Sequence, residues 1–227
     1  RHARCFSLSQ APRRDGMLRL TIKRKDGGPV STAANALQPG DVVRLGPAQG
    51  RFAPRNEDSP LLLLSAGSGI TPMLSLLHGL ADAGSARDVV LLQSESTPED
   101  ALFADELSQL ATRLPNLRVH RHVTQAKGRV DAGMIAAGVP DWASRDTLLC
   151  GPDGFMRRVE AMFAAAGLQE QLQSESFGRR AAAVDACAAR RHPLARRRAL
   201  RRSRARGSRR ARCPLRARAA GTGGRGR

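Results

Sequence analysis

Two glycine-bearing turns carry most of the chemistry this sequence offers. Gly67-Ser68-Gly69-Ile70-Thr71-Pro72 stands between an apolar run and a helix start, and Cys150-Gly151-Pro152-Asp153-Gly154-Phe155 follows a second short apolar run. A turn after a strand presents backbone N–H groups and the positive end of a helix dipole, which together favour a phosphate or diphosphate. The spacing falls short of the dinucleotide fingerprint, because Pro72 occupies the place of the third glycine. By itself, then, the first turn reads as a tight turn as readily as a phosphate cradle. The second turn brings the Cys150 thiol to the same edge of the fold. No basic neighbour in sequence lowers its pKa, so Cys150 reads as a buried core thiol rather than a nucleophile. A hydrolase would need a Gly-x-Ser-x-Gly elbow, which does not occur. His120 and His122 alternate on one side of a strand, a solvated face rather than a metal site.

The elements that position these turns follow from periodicity. Residues 61–65 read as a buried strand, and Met73, Leu76, Leu77 and Leu80 form one face of a helix opening near Pro72. Residues 88–93 make the next strand. Thr97 is expected to cap a helix with Pro98 at its first position and Phe103, Leu107 and Leu110 inward. Residues 117–123 alternate as a third strand, and 131–137 form a short helix stopped at Gly138. Residues 147–150 make a fourth strand. Asp153 is expected to cap a helix with Phe155, Val159, Met162 and Phe163 inward, and 171–177 to close a fifth strand. Strands alternating with such helices imply an α/β domain with a five-stranded parallel sheet, covered on both faces, with ligands at the carboxyl ends of the strands.

Residues 1–57 lack helical periodicity. Their strand-like runs, 5–8, 17–23 and 41–45, lie between Pro and Gly turns and predict part of a β-barrel, too few strands to close one. A preceding piece is expected, since the sequence opens at Arg1 with a strand under way.

The net charge of +18 is a property of one segment. Residues 179–227 hold 18 Arg against Asp185 alone, with 13 Ala, 5 Gly and 2 Pro, which cannot supply a core. Such a tail reads either as a basic arm for phosphate-bearing surfaces or as GC-rich DNA translated out of frame. It lacks the aromatic residues of a single-strand binder. The domains expected are therefore 1–57, 58–178 and a disordered tail at 179–227. Cysteines at 5, 150, 187 and 213 are too scattered for a metal cluster and too few for a secreted disulfide framework. No apolar run approaches the roughly 20 residues of a membrane span, so a soluble cytoplasmic protein is the expectation.

Five segments in order then carry a resemblance: Arg4-Cys5-Phe6-Ser7, Gly28-Pro29-Val30-Ser31, Gly67 to Met73, Cys150 to Met156, and Glu175-Ser176-Phe177-Gly178. Together they resemble the ferredoxin–NADP reductase superfamily, in the order and spacing of its bacterial flavin reductases. The resemblance implies a flavin-binding β-barrel followed by a nicotinamide-nucleotide domain, with FAD and NADH or NADPH stacked between them. It implies that Arg4 pairs with the flavin phosphates, Phe6 covers the flavin ring and Ser7 reaches its reactive nitrogen. Phe6 stands where the family usually has Tyr, which keeps the stacking face and loses a hydroxyl. Thr21 and Lys23 would line the flavin, and Gly28, Val30 and Ser31 would hold its phosphates.

In the second domain the resemblance assigns the nucleotide cradle to Gly67, Ser68, Gly69, Ile70, Thr71 and Pro72, with Thr71 touching both cofactors. Cys150 would lie beside the nicotinamide, with Gly151, Pro152 and Phe155 around it, and Glu175 and Phe177 near the flavin. Ser7, Cys150 and Glu175 are then polar neighbours of the reacting rings, because hydride and one-electron chemistry belong to the flavin. The implied partner is a ferredoxin or other iron–sulfur acceptor. Many relatives continue into a plant-type [2Fe–2S] domain, whose C-x4-C-x2-C run does not occur in this sequence, and Cys187 and Cys213 cannot replace it. At the end of the second strand, Ser94 and Glu95 stand with no arginine before Arg113. Glu95 could accept from ribose hydroxyls and would repel a 2′-phosphate, which favours NADH. The competing reading is a flavin-free nucleotide-binding fragment without turnover.

Overall fold

The structure is a computed structural model that describes residues 4–48 and 50–177. The expectation of a disordered tail at 179–227 lies outside these residues. The elements are α1 (Pro29–Asn35), β1 (Leu61–Ala66), α2 (Ile70–Asp82), β2 (Val89–Glu95), α3 (Ala104–Arg113), β3 (Leu117–Val123), α4 (Thr124–Lys127), α5 (Ala132–Gly138), β4 (Asp146–Cys150), α6 (Asp153–Ala165) and β5 (Leu172–Glu175).

The five strands form one parallel sheet in the order β3-β2-β1-β4-β5. The chain builds outward from β1 to β3, returns, and continues on the other side with β4 and β5. The order therefore reverses between β1 and β4, and a crevice opens there at the carboxyl ends. Period-two alternation within wholly buried strands splits the core in two. Leu61, Leu63, Leu91 and Leu148 pack with Met73, Leu74, Leu77, Leu107 and Leu110 on the face covered by α2 and α3. Leu62, Leu64, Val90, Leu92 and Leu149 pack with Ile135, Met156, Val159 and Phe163 on the face covered by α5 and α6. Trp142 meets Phe163 edge-on, with ring centroids 5.0 Å apart. No helix among the described residues is long and apolar enough to cross a membrane.

Several expectations are corrected. The helix expected from Thr97 is two pieces: a single 3-10 turn at Pro98–Asp100, then α3, which restarts after Phe103 in the left-handed region at φ 61°. Asp153 is the first residue of α6 rather than its cap, which is Pro152. Asp131 does cap α5, its Oδ1 accepting from Met134 N at 2.8 Å. The buried stripe of α2 runs through Met73, Leu74, Leu77 and Ala81, with Leu76 and Leu80 at its margin. His122 is buried rather than solvated, its Nε2 2.7 Å from the Gly128 carbonyl.

The largest correction concerns residues 4–57. No strand forms there; the expected runs at 5–8, 17–23 and 41–45 make only an isolated antiparallel bridge, Leu8 to Leu20. The one regular element is α1, which periodicity did not suggest. Two short strands without further partners cannot bury enough surface to hold a ladder, and Met17, Leu18, Leu37, Val42, Val43 and Leu45 are exposed accordingly. No barrel is therefore present among the described residues.

Candidate functional site

Parallel register lays one row of residues across the whole sheet near its carboxyl edge. Arg121 of β3 pairs with Gln93 of β2, Gln93 with Ser65 of β1, Ser65 with Cys150 of β4, and Cys150 with Glu175 of β5. Apolar layers lie beneath this row; the two glycine turns lie just beyond it.

The turns are fused by backbone contact. A Cβ on Gly69 would collide with the Cys150 carbonyl group and lie 2.7 Å from Gly151 N. A Cβ on Gly151 would meet Phe155 at 2.9 Å and Ala66 at 3.2 Å. Both positions need glycine because one chain passes directly over another. Gly67 has φ +53°, and the space beside it is open. Ser68 is half-buried and Ile70 fully buried, and the Thr71 hydroxyl, itself buried, donates to the Ser68 carbonyl at 3.0 Å. That bond leaves Thr71 only its acceptor lone pairs for a cofactor. Pro72, half-buried, follows in the first turn of α2.

Cys150 is wholly buried, and burial, reinforced by the Glu175 charge, pushes its thiol well above the ordinary value. A neutral, inaccessible thiol is no nucleophile, as its sequence neighbours suggested. Pro152 is exposed and Phe155 half-buried at the start of α6.

From the amino-terminal segment, Ser7 Oγ donates to Glu175 Oε2 at 2.5 Å. The single hydroxyl proton is spent there, so Ser7 can meet a flavin nitrogen only as an acceptor or after giving up this bond. Phe6 and Phe177 are 36% and 40% exposed, each an aromatic face open to a planar ligand. Arg4 and Lys23 are exposed cations. Thr21 Oγ1 lies 3.0 Å from Ser9 Oγ. Ser31 Oγ donates to the Gly28 carbonyl and accepts from Lys25 N, both at 3.1 Å, closing the turn before α1, where Val30 is half-buried.

Glu95 departs from its expected role. It is 9% exposed and turned inward, and Gln93 Nε2 donates to its Oε1 at 3.3 Å. Burial pushes its carboxyl above the ordinary value, opposed by the Gln93 bond, the nearby Gly67 amide and Lys23 and assisted by Asp100. Buried and held by Gln93, this carboxylate is less open to a ribose than its place in the sequence suggests. Ser94 is 5% exposed and on the opposite face of β2.

One group escaped sequence reasoning. Arg19 donates to the Ser9 carbonyl and to Glu106 Oε1 at 2.8 Å, and His78 Nε2 lies 2.6 Å from the same oxygen. Ser75 Oγ donates to the Gln10 carbonyl at 2.6 Å nearby. These bonds tie residues 9–19 to α2 and α3. The only trace in sequence was an arginine interrupting an apolar run.

Residues 63–161 match the oxidoreductase NAD-binding domain family. An NADPH oxidoreductase of Mycobacterium tuberculosis is 38% identical over 77% of this chain and 47% of its own length. The ferredoxin reductase component of a 3-ketosteroid-9-alpha-monooxygenase from Mycolicibacterium smegmatis is 34% identical over 73% of this chain and 47% of its length. The chain belongs to the ferredoxin–NADP reductase superfamily. Among solved members of similar fold, the flavohemoglobin of Malassezia yamatoensis with bound FAD and heme aligns at TM-score 0.65 and 28% identity, over 77% of this chain and 47% of its own. The ferredoxin-NADP+ reductase of Plasmodium falciparum aligns at TM-score 0.63 and 19% identity, over 76% of each chain. This reductase-superfamily chain thus spans about half the length of the curated relatives it matches.

Proposed function

We infer that the chain carries the nicotinamide-nucleotide half of a flavin-dependent reductase that passes electrons from NAD(P)H through FAD to a ferredoxin or other iron–sulfur acceptor. The observation that carries this reading is the meeting of Ser7, Glu175 and Cys150 at the switch-point edge, beside a glycine turn with open space at Gly67. A diphosphate would sit against the amides of residues 67–72 and the start of α2. Arg4, Lys23 and the Gly28–Ser31 turn would hold the flavin phosphates, and Phe6 would stack on its ring. When bound, the flavin supplies the exchange between two-electron and one-electron transfer.

The chain's own residues orient and exclude water. Gly69 and Gly151 bring the two turns into contact, so that the cradle and the Cys150 position are set together. Cys150 keeps a neutral, buried thiol under this edge, and the Ser7–Glu175 bond fixes both side chains of a polar pair without adding a mobile group. For the nicotinamide, NADH remains our reading, because no cation stands between Gln93 and Thr97; the M. tuberculosis relative is an NADPH oxidoreductase by name. We place the work in the cytoplasm, where a reduced-nicotinamide donor would be at hand.

A second reading, nucleotide binding without turnover, is favoured by the absence of barrel strands among the described residues and the exposure of Val42 and Leu45. The absorbance spectrum of the purified chain, followed by NADH and NADPH oxidation with an artificial acceptor, decides between them. Bound flavin with turnover supports the reductase. Nucleotide binding with neither flavin uptake nor turnover supports the second reading.

A further inference from the structure

Ser7 meets Glu175 on a segment that one side chain fastens to the helices. Ser9, two positions beyond Ser7, is wholly buried, and Arg19 closes both of its main-chain groups. The Ser9 N–H donates to the Arg19 carbonyl at 3.0 Å, and Arg19 Nε donates to the Ser9 carbonyl at 2.9 Å. The same guanidinium reaches the other way with Nη2, which donates to Glu106 Oε1 of α3 at 2.8 Å and stands 3.5 Å from His78 Nε2 of α2. His78 shares that carboxylate oxygen, and α2 opens directly from the glycine turn. A planar fork of donors lets one side chain serve both sides at once. The surface it meets is set against backbone preference. Phe103, just before α3, is the only residue other than glycine at positive φ among the described residues, at 61°, which strains a bulky side chain. It is held from two directions: the Leu102 carbonyl accepts from buried Gln93 Nε2 at 3.0 Å, and the Phe103 ring centroid lies 5.9 Å from the Arg19 guanidinium carbon. Gln93 belongs to the row that runs across the carboxyl edge to Cys150 and Glu175.

We propose that Arg19 is a positioning residue of the reductase, a bolt from the segment bearing Phe6 and Ser7 to α2 and α3 that fixes those two side chains relative to the glycine turn. Arg19 lies outside the set of residues assigned to flavin or nucleotide and acts through Ser9. Its half of the work is local, since the bonds to Ser9 leave the chain from Ser7 to Ser9 little freedom. The other half is the anchorage on Glu106, His78 and the Phe103 ring, which ties that short stretch to the helix that starts at the turn. Ser75 of α2 adds a second tie, its Oγ donating to the Gln10 carbonyl at 2.6 Å. With the anchorage cut, Ser7 keeps its neighbours in sequence but loses its fixed distance from the cradle, and hydride chemistry falls steeply when reacting groups drift by about 1 Å.

The inference rests on the reductase reading, and its test has one readout that needs no flavin. In the full chain with Cys187→Ser and Cys213→Ser, a nitroxide label is placed on exposed Cys5, next to Phe6, while buried Cys150 stays unlabelled. Arg19→Leu, and separately Glu106→Ala, which leaves the amino-terminal segment unaltered, should shorten the nanosecond correlation time of the label about threefold. Melting temperature checks the fold of each. In flavin-loaded protein both variants should lower kcat for NADH oxidation about 10- to 100-fold with KM nearly unchanged. Arg118→Leu, which removes an exposed arginine bonded to Asp88 at 2.9 Å, should change neither readout. Label motion that stays at the wild-type value in both variants overturns the inference, as does a freed label with kcat intact. A wild-type chain that takes up flavin but does not turn over, or takes up none, removes the reductase reading and the role of Arg19 with it.

Discussion

Ser7 and Glu175, 168 positions apart in sequence, share a hydrogen bond of 2.5 Å between Oγ and Oε2. It joins the amino-terminal segment to the last strand of the sheet, next to Cys150. Ser7→Ala removes the bond and leaves the half-buried Glu175 without this donor. In a flavin-loaded preparation it should lower kcat for NADH oxidation about 10- to 100-fold with little change in KM, as expected when reacting groups lose alignment rather than affinity. An unchanged kcat would show that the pair serves folding alone.

Two glycines make a matched pair of opposite sign. Gly69→Ala has nowhere to put its methyl group except into the Cys150 backbone, so it should cost more than about 3 kcal/mol or abolish soluble expression. Gly79, inside α2, has open space at its Cβ position, and Gly79→Ala should stabilise by about 0.5–1 kcal/mol through helix propensity. Urea melts of both variants provide the check, and equal effects would mean that the crossing of the two turns is looser than described.

Acid should loosen the molecule through three carboxylates. Arg145 is buried and holds Asp88 and Asp141, each at 2.7 Å, and these bonds lower the two pKa values against the opposing effect of burial. For Glu106, burial pushes upward, but the bonds from Arg19 and His78 outweigh it and leave the value lowered. A carboxylate with a lowered folded-state pKa contributes stability that is fully present above its ordinary value of about 4 and is lost as pH falls through the folded one. The melting temperature should thus hold from neutrality down to about pH 5 and fall below about pH 4. Arg145→Leu should flatten part of that fall and cost about 2 kcal/mol at neutral pH, since the Leu61 carbonyl also loses its donor. A melting temperature independent of pH across this interval would contradict the assignment.

Thiol chemistry should separate two cysteines. Cys5 is exposed, whereas Cys150 is buried and its thiol is held neutral. Brief alkylation at neutral pH followed by peptide mass mapping should label Cys5 and leave Cys150 intact until denaturant is added. Labelling of Cys150 in the native protein would mean that β4 opens at its end.

Legibility in the sequence tracked how local the determinants are. β3 runs over the residues its alternation marked, and the Leu61 run, bounded by Pro60 and Gly67, was visible as a buried strand. Where a break depends on one backbone torsion, as at Phe103 before α3, the inward stripe Phe103, Leu107 and Leu110 looked like one continuous helix and the interruption stayed hidden. The amino-terminal runs carry strand-like patterns that only partner strands can realise, so local pattern overstated them. At the site, the glycine turns were legible because close backbone crossing restricts residue type. The inward turn of Glu95 was not, because a strand's own pattern does not say how deeply its last residue is covered by the turns packed around it. The Arg19–Glu106–His78 group spans three separate stretches of chain and left no spacing to detect.

The crossing of Gly69 over Cys150 also limits how the protein can be re-engineered. Because the two turns touch through main chain, neither can be enlarged or shifted without dragging the other, and a library built on them would mostly sample misfolded variants. The tips of β2 and β3 meet more lightly, through one main-chain bond from Gln125 N to the Ser96 carbonyl that restricts no side chain. Side chains at Ser96 and Thr97, and on the Thr124–Lys127 helix beyond β3, can therefore be exchanged with their backbones in place, so a change of nucleotide preference in this scaffold is best sought there.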